Sequence, residues 1–370
     1  MKKEKLDILL EEGVTTGVYP GAVLLIGSQG ETVFFRAVGN AALKPQLVPM
    51  KRETIFDLAS LTKPLATTLA MMKLVDQGDI DLDEPIRGLL PGVGGKDKQG
   101  MTPRLLLSHA SGLRDWEAFY CRLNEVPREQ RKQRVREWIV DSPLVFSPGS
   151  RALYSDLGFM LLEWIIEQKT GRDLDQFLRE ELYGPLGLGL FFCDLSSPVH
   201  LDKTAFAATE FCPWRKRILL GEVHDENACA VGGYAGHAGL FGTAADVGNI
   251  GGFLLRCYNG SQGEMLRPDT VQTFFSRQRN PEDTTWALGW DTPSRSGSSA
   301  GSFFSEKSVG HLGFTGTSLW MDLEKQVMVI LLTNRIHPSR ENEKIKVFRP
   351  RLHDLVMEML GFGEPGGGNG

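Results

Sequence analysis

The stretch Thr54-Ile55-Phe56-Asp57-Leu58-Ala59-Ser60-Leu61-Thr62-Lys63 passes from an extended run, Thr54 to Leu58, into a segment over 61–77 with Leu61, Leu65, Leu69 and Met72 at helical spacing. Ser60 stands where that helix begins, and Lys63 follows one turn later on the same face. A serine and a lysine so placed suit a nucleophile and the group that activates it, and a helix N-terminus favours negative charge developing beside Ser60. An N-capping role explains Ser60 alone. It leaves Lys63 unexplained, because the helix dipole disfavours a cation in the first turn. Ser-x-x-Lys is expected about once by chance in a chain of this length, so its position carries the weight.

Working outward, Leu6, Leu9, Leu10 and Val14 predict an amphipathic helix over 4–16 that ends near Gly17 and Pro20. Ala22 to Ile26 and Thr32 to Val38 flank Gly27-Ser28-Gln29-Gly30 and read as an antiparallel hairpin. Thr317 to Asp322 and Gln326 to Thr333 form a second one. A helix over about 343–360 carries Leu352, Leu355, Val356 and Leu360 on one face, with Pro350 expected to kink or delay it. Between these ends the pattern is mainly helical, including 154–169 with Leu157, Leu161 and Trp164 or Ile165 in phase. The expectation is an α+β architecture: an antiparallel sheet built from both chain termini and flanked by helices, plus a mainly helical domain, with the active site at the seam. The boundaries read as 1–62 together with 280–370 for the sheet domain and 63–279 for the helical one. No internal repeat is evident, and the Gly/Ser-rich 294–302 and the GGGNG tail read as flexible connectors.

Composition excludes several classes. The chain has 370 residues, 41 Lys+Arg against 46 Asp+Glu and 41% hydrophobic residues, ample for one large or two intimate domains. Its scattered basic residues leave no stripe for a phosphate backbone, so no nucleic-acid partner is expected. Five widely spaced cysteines without a C-x-x-C pair read as free thiols. The N-terminus reaches Glu11 and Glu12 before an apolar run forms, unlike a signal peptide, and Val327 to Leu332 is far short of the roughly 20 residues that span a bilayer. A cytoplasmic protein without membrane insertion is expected.

Two further segments bear on chemistry. Phe146-Ser147-Pro148-Gly149-Ser150 leads to Tyr154-Ser155-Asp156 at the start of a helix, and Gly310-His311-Leu312-Gly313-Phe314-Thr315-Gly316-Thr317 is a glycine-rich entry to a strand, where a ligand can approach backbone N–H groups. Taken singly, these are an N-cap with a half-buried tyrosine and a bulged edge strand. Together and in this order with Ser60-x-x-Lys63, they resemble the S-x-x-K, Y-x-N and (K/H)-x-G motifs of the serine β-lactamase-like family: penicillin-binding proteins, class C β-lactamases and their esterase relatives. Leu106-Leu107-Ser108-His109-Ala110-Ser111-Gly112-Leu113 and Ala235-Gly236-His237-Ala238-Gly239-Leu240-Phe241-Gly242-Thr243-Ala244 are similar to two more segments of that family. The resemblance covers nearly the whole chain and implies the β-lactamase/transpeptidase-like fold.

It also implies a metal-free serine hydrolase, without cofactor, that forms an acyl-enzyme on Ser60 and cleaves an ester or amide. Lys63 and Tyr154 share the base role: a charged Lys63, kept so by Asp156 if close, is expected to lower the Tyr154 pKa. The oxyanion hole implied is the N–H of Ser60 and of Phe314. Asp156, His311, Gly313, Trp116 and His237 are candidate substrate contacts, with Trp116 among the aromatics that could wall a pocket. His109 and His237 are weighed as bases but fall in segments whose histidine is more often structural. Glu222-Val223-His224-Asp225-Glu226-Asn227 is read as a hydrogen-bonded loop rather than a metal site, because its residues are contiguous.

Two departures matter. His311 stands where lysine is usual and weakens the case for a free substrate carboxylate, and Asp156 replaces the more frequent Asn. The phrases from Glu222 and from Leu332-Thr333-Asn334-Arg335-Ile336-His337-Pro338 resemble a subgroup that includes muramoyl-peptide amidases, so a carboxylesterase or a cell-wall-fragment amidase is expected, with a small ester, amide or muropeptide substrate. A weak β-lactamase or D-aminoacyl peptidase, and a catalytically silent binding or assembly protein, are the alternatives.

Overall fold

The computed structural model describes residues 2–93, 95–193, 201–261 and 265–363; the GGGNG tail lies outside them. Five strands from the two ends of the chain, with one short edge strand, make the main antiparallel sheet: β1 Gly21–Ser28, β2 Glu31–Ala42, β3 Val48–Pro49 and, after the short β4 Phe56–Asp57 and β5 Leu240–Gly242, β6 Ser308–Leu312, β7 Ser318–Asp322 and β8 Val327–Thr333. The order is β3-β2-β1-β8-β7-β6, so the first and last hairpins meet at β1 and β8, with Leu24 opposite Leu331. β4 pairs with β5 in a separate small sheet.

Both central strands read as continuous apolar runs because both their faces are covered. The two-residue period divides each strand between two cores. Leu24, Ile26, Val329 and Leu331 face one, shared with Leu6 and Leu10 of helix α1 (Lys2–Thr15) and, at the chain's other end, Phe348 and Leu352. Val23, Leu25, Ile330 and Leu332 face the larger core, which continues into the helical middle of the chain.

The expected hairpins are present, the first with an irregularity between Ile26 and Gly27 and a turn in which Gln29 and Gly30 both take positive φ. Two expectations change and one holds. The helix after Ser60 is not regular from its start: a 3-10 turn over Ala59–Leu61 and wide π-type turns over Lys63–Thr68 precede α2, Leu69–Gln77. α3, Asp156–Thr170, keeps the N-cap read from the sequence: the Ser155 hydroxyl accepts the Gly158 N–H, and this leaves Tyr154 on extended chain. α4, Ala244–Tyr258, expected in the helical part, packs against β1 and β8 and covers the sheet's inner face. The C-terminal helix α5 runs Ile345–Leu360 and continues through Pro350.

Gly310 illustrates how side-chain size sets the sheet edge. It lies opposite Trp320, and a Cβ there would come within 2.2 Å of the indole. Gly310→Ala is therefore expected to lose about 1–3 kcal/mol of stability through overpacking, read as a lowered urea midpoint with an unchanged m-value.

Candidate active site

Ser60, Lys63, Tyr154, His311, Gly313 and Phe314 come together at the junction of the sheet's β6 edge with the helical part. β6 ends in a tight turn in which the Gly313 N–H donates to Thr317 O at 2.8 Å and the Gly316 N–H donates to Gly313 O at 3.0 Å. A Cβ at Gly313 would stand 2.6 Å from the Leu58 carbonyl, so only glycine lets this turn close on the segment carrying Ser60. Neither the Ser60 nor the Phe314 amide donates to another group among the described residues.

Lys63 is fully buried and held from three sides. Its Nζ donates to Ser60 Oγ at 3.0 Å and to the His237 carbonyl at 3.3 Å, and it pairs with Asp156 at 2.7 Å. The Tyr154 side chain is a fourth neighbour of the ammonium, so it is surrounded by polar groups. Burial opposes the charge, yet Asp156 and then Tyr154 hold the Lys63 pKa above its usual value. The ammonium also lies 4.7 Å from the Tyr154 ring centroid. Tyr154 meets both Ser60 and Lys63, but burial outweighs the ammonium and, with Asp156, pushes its phenol up. The expected lowering of the Tyr154 pKa is therefore corrected: Lys63 does act in that direction, but its own counter-ion and the dry surroundings win.

The residues behind this group are fixed supports. His109, buried, accepts the Ser155 N–H on Nδ1 at 3.0 Å and packs at 4.6 Å from Tyr154, with burial and then Lys63 keeping it neutral. His237 faces Asp225 at 3.0 Å and is 1% exposed; burial opposes its charge, but Asp225 and Asp156 favour the imidazolium overall. His237 thus supports Lys63 through its carbonyl and is not among the residues lining the cavity at Ser60. Asp156, a candidate substrate contact, is close enough to Lys63 to act as its counter-ion, the other role weighed for it. Trp116 is 43% exposed, on a loop whose Asp115 carbonyl takes the Asp156 N–H, and it too is absent from the cavity lining. Asp156, Asp225 and His237 bring possible ligand atoms within 4.8 Å of one another, but their charges balance Lys63 and each other.

A cavity of about 400 Å³ opens at Ser60, walled by Tyr154, Trp286, His311 and Phe314. His311 donates from Nδ1 to its neighbour's carbonyl, Leu312 O, at 2.9 Å, and burial followed by Lys63 lowers it to about 3, so it is neutral. The cavity's cations come from α5, where sequence reasoning did not look: Lys346 and Arg349 line it with Arg335. Arg335 is engaged by backbone carbonyls, with Nε at 3.1 Å and Nη2 at 2.7 Å from Phe314 O. Arg349 is 4% exposed; among the described residues its one side-chain hydrogen bond runs from Nε to Ser318 Oγ at 3.1 Å, and it has no acidic partner. Burial and then Arg335 lower its pKa to about 10, which still leaves it charged at neutral pH. The signal was legible: Arg349 falls in phase with the apolar face Ile345, Phe348, Leu352 and Val356, where an unpaired charge is out of place.

Comparison with known proteins agrees with this geometry. The beta-lactamase family matches residues 6–349. The chain belongs to the beta-lactamase family. It is a serine hydrolase of ester or amide bonds. A Bacillus subtilis (strain 168) relative named N-acetylmuramyl-L-alanine amidase is 33% identical over 368 residues, 91% of this chain and 81% of the relative. An Escherichia coli (strain K12) relative carrying a provisional D-alanyl-D-alanine carboxypeptidase name is 30% identical over 359 residues, 90% of this chain and 82% of the relative. The solved structure of EstCE1, a hydrolase with promiscuous acyltransferase activity, superposes with a TM-score of 0.73 at 22% identity over 94% of this chain and 98% of that one, and shares the fold. Among the described residues no helix is long and apolar enough to cross a membrane.

The buried pair beneath the beta-lactamase-family site has a measurable signature. His237 is raised, so its contribution to stability is full below about pH 6.5 and is lost as pH rises through its folded value. Asp225 is lowered by His237 against burial, so its contribution holds above about pH 4 and is lost as pH falls. Asp225→Asn is expected to cost about 3–5 kcal/mol, with the deficit largest between those limits in denaturant titrations across pH.

Proposed function

We propose that this protein is an amidase acting on an anionic cell-wall fragment, with Ser60 as nucleophile, Lys63 and Tyr154 as its proton-handling partners, and the Ser60 and Phe314 N–H groups as the oxyanion hole. The observation that carries this reading is that one cavity holds both Ser60, hydrogen-bonded to a buried ammonium, and Arg349, a buried guanidinium without a counter-ion among the described residues. A substrate carboxylate there would supply the missing charge and orient the scissile carbonyl. This reverses the inference drawn from His311 alone: the histidine is neutral, and the cation comes from α5. The name of the Bacillus subtilis relative favours an amide at a muramoyl peptide. The carboxypeptidase name favours a second reading, cleavage next to a C-terminal D-amino acid, whose carboxylate Arg349 would equally suit.

In the proposed reaction the reactive form has Tyr154 as its minor phenolate beside the charged Lys63. Ser60 attacks the carbonyl as its proton passes to the phenolate, the resulting phenol gives that proton to the leaving amine as the C–N bond breaks, and water then releases the acyl group by the same route. Incubation with a muramoyl tripeptide and a D-Ala-D-Ala peptide, read by mass spectrometry, distinguishes the two readings. Ser60→Ala is expected to consume neither, and equal consumption by the variant would reject Ser60.

Both Lys63 and Tyr154 are raised, so the basic form of either is scarce at pH 7. The ratio kcat/KM is expected to climb with pH through the alkaline range. Because Asp156 raises both groups, Asp156→Asn is expected to move that climb to lower pH, even where its maximum falls. Arg349→Leu is expected to raise KM at least tenfold for the anionic peptide while a neutral ester of it is unaffected, checked by paired steady-state kinetics.

A further inference from the structure

The turn that delivers Ser60 has its own carboxylate. Ala59, immediately before Ser60, has φ +48, a left-handed conformation that an L-residue other than glycine adopts at a cost. Asp57 Oδ1 accepts the Ala59 N–H at 2.8 Å, and Oδ2 accepts the His224 N–H at 2.6 Å. The backbone here is held from the other side as well. Thr315 Oγ1 donates to Asp57 O at 2.8 Å, Thr317 Oγ1 donates to Leu58 O at 3.1 Å, and the Leu58 N–H donates to Leu240 O at 2.9 Å. Asp57 is 3% exposed and forms no ion pair among the described residues; burial pushes its carboxyl up, partly offset by the His224 and Ala59 N–H groups. A buried carboxylate with no counter-ion is unfavourable unless its hydrogen bonds serve the structure around it.

We propose that Asp57 is a positioning residue: its carboxylate, bridging Ala59 and the 224 loop, holds the left-handed turn that aims the Ser60 hydroxyl and leaves the Ser60 N–H free for an oxyanion. Released from this clamp, Ala59 relaxes toward the right-handed region, which turns the Ser60 peptide plane. The threonine bonds tie the same turn to Thr315, next to Phe314, so the two oxyanion donors are held in one frame. Asparagine cannot replace the aspartate, since one of its two polar atoms is a donor and would meet an N–H. The inference rests on the reading of Ser60 as nucleophile.

The test measures the rate of Ser60 labelling by a fluorophosphonate and the hydrolysis of p-nitrophenyl butyrate, with folded fraction followed by circular dichroism. Asp57→Asn is expected to lower kcat and the labelling rate about 10²-fold, the scale of a misplaced reacting group, with KM changed less than threefold. Ala59→Gly, which removes the left-handed penalty, is expected to keep activity alone and to recover at least tenfold in the Asp57→Asn background. Rescue separates positioning from simple destabilisation. A folded Asp57→Asn within threefold of wild type, or a double variant without recovery, overturns the proposal. Should Asp57→Asn not fold, Thr315→Val/Thr317→Val is read instead: a kcat loss of tenfold or more at unchanged KM supports the clamp, and wild-type kcat overturns it. Wild type that neither labels nor turns over rejects the nucleophile assignment itself.

Discussion

The site depends on one buried ammonium. Lys63 has no exposure, and its ammonium is surrounded by the Ser60 hydroxyl, the His237 carbonyl, the Asp156 carboxylate and the Tyr154 side chain. Removing an ammonium from water is costly unless each proton is met and the charge is balanced. The surroundings follow from that constraint. α3 must begin where it does to present Asp156, and the 236–238 turn must bring the His237 carbonyl inward. The His237–Asp225 pair behind it adds no net charge when both groups are ionised, so the dry interior carries two ion pairs in contact.

The same constraint shapes the chemistry. An ammonium so tightly held is a poor base, and the carboxylate that keeps it charged also pushes the neighbouring phenol up. Proton transfer from Ser60 therefore works against two raised pKa values. What compensates is placement: Ser60, Tyr154 and Lys63 are already in contact, so no reorganisation of solvent is needed as the hydroxyl attacks. Asparagine at 156 would relax the pKa values at the expense of the Lys63 counter-charge.

The substrate side has the opposite electrostatics. His311 is neutral, while Arg349 is charged, buried and, among the described residues, without an acid beside it. The cavity therefore combines a neutral motif histidine with a cation supplied from the C-terminal helix, some 38 residues later in the chain. This pairing of reacting groups from one end of the chain with a binding group from the other follows from the sheet, in which β1 and β8 lie side by side.

Much was legible in the sequence because it is local. The two hairpins, the apolar phase of α3 and α5, and the positions of Ser60, Lys63, Tyr154 and Gly313 depend on spacing within a few residues, and period-2 or period-3.6 patterns record them. What the tertiary structure decided is everything that depends on a partner distant in sequence. Asp156 could be paired with Lys63 only on the condition that the two were close, and the 2.7 Å distance is what the fold supplies. Trp116 and His237 looked available until the loop and the Asp225 pair were seen. Arg349 was visible as an odd residue on an apolar face, but only packing of α5 against β7 shows that it lines the cavity at Ser60. The physical reason is common to all of them: spacing along the chain sets which side chains share a face, whereas burial and charge balance are properties of the space between elements, and a pKa or a binding role belongs to that space.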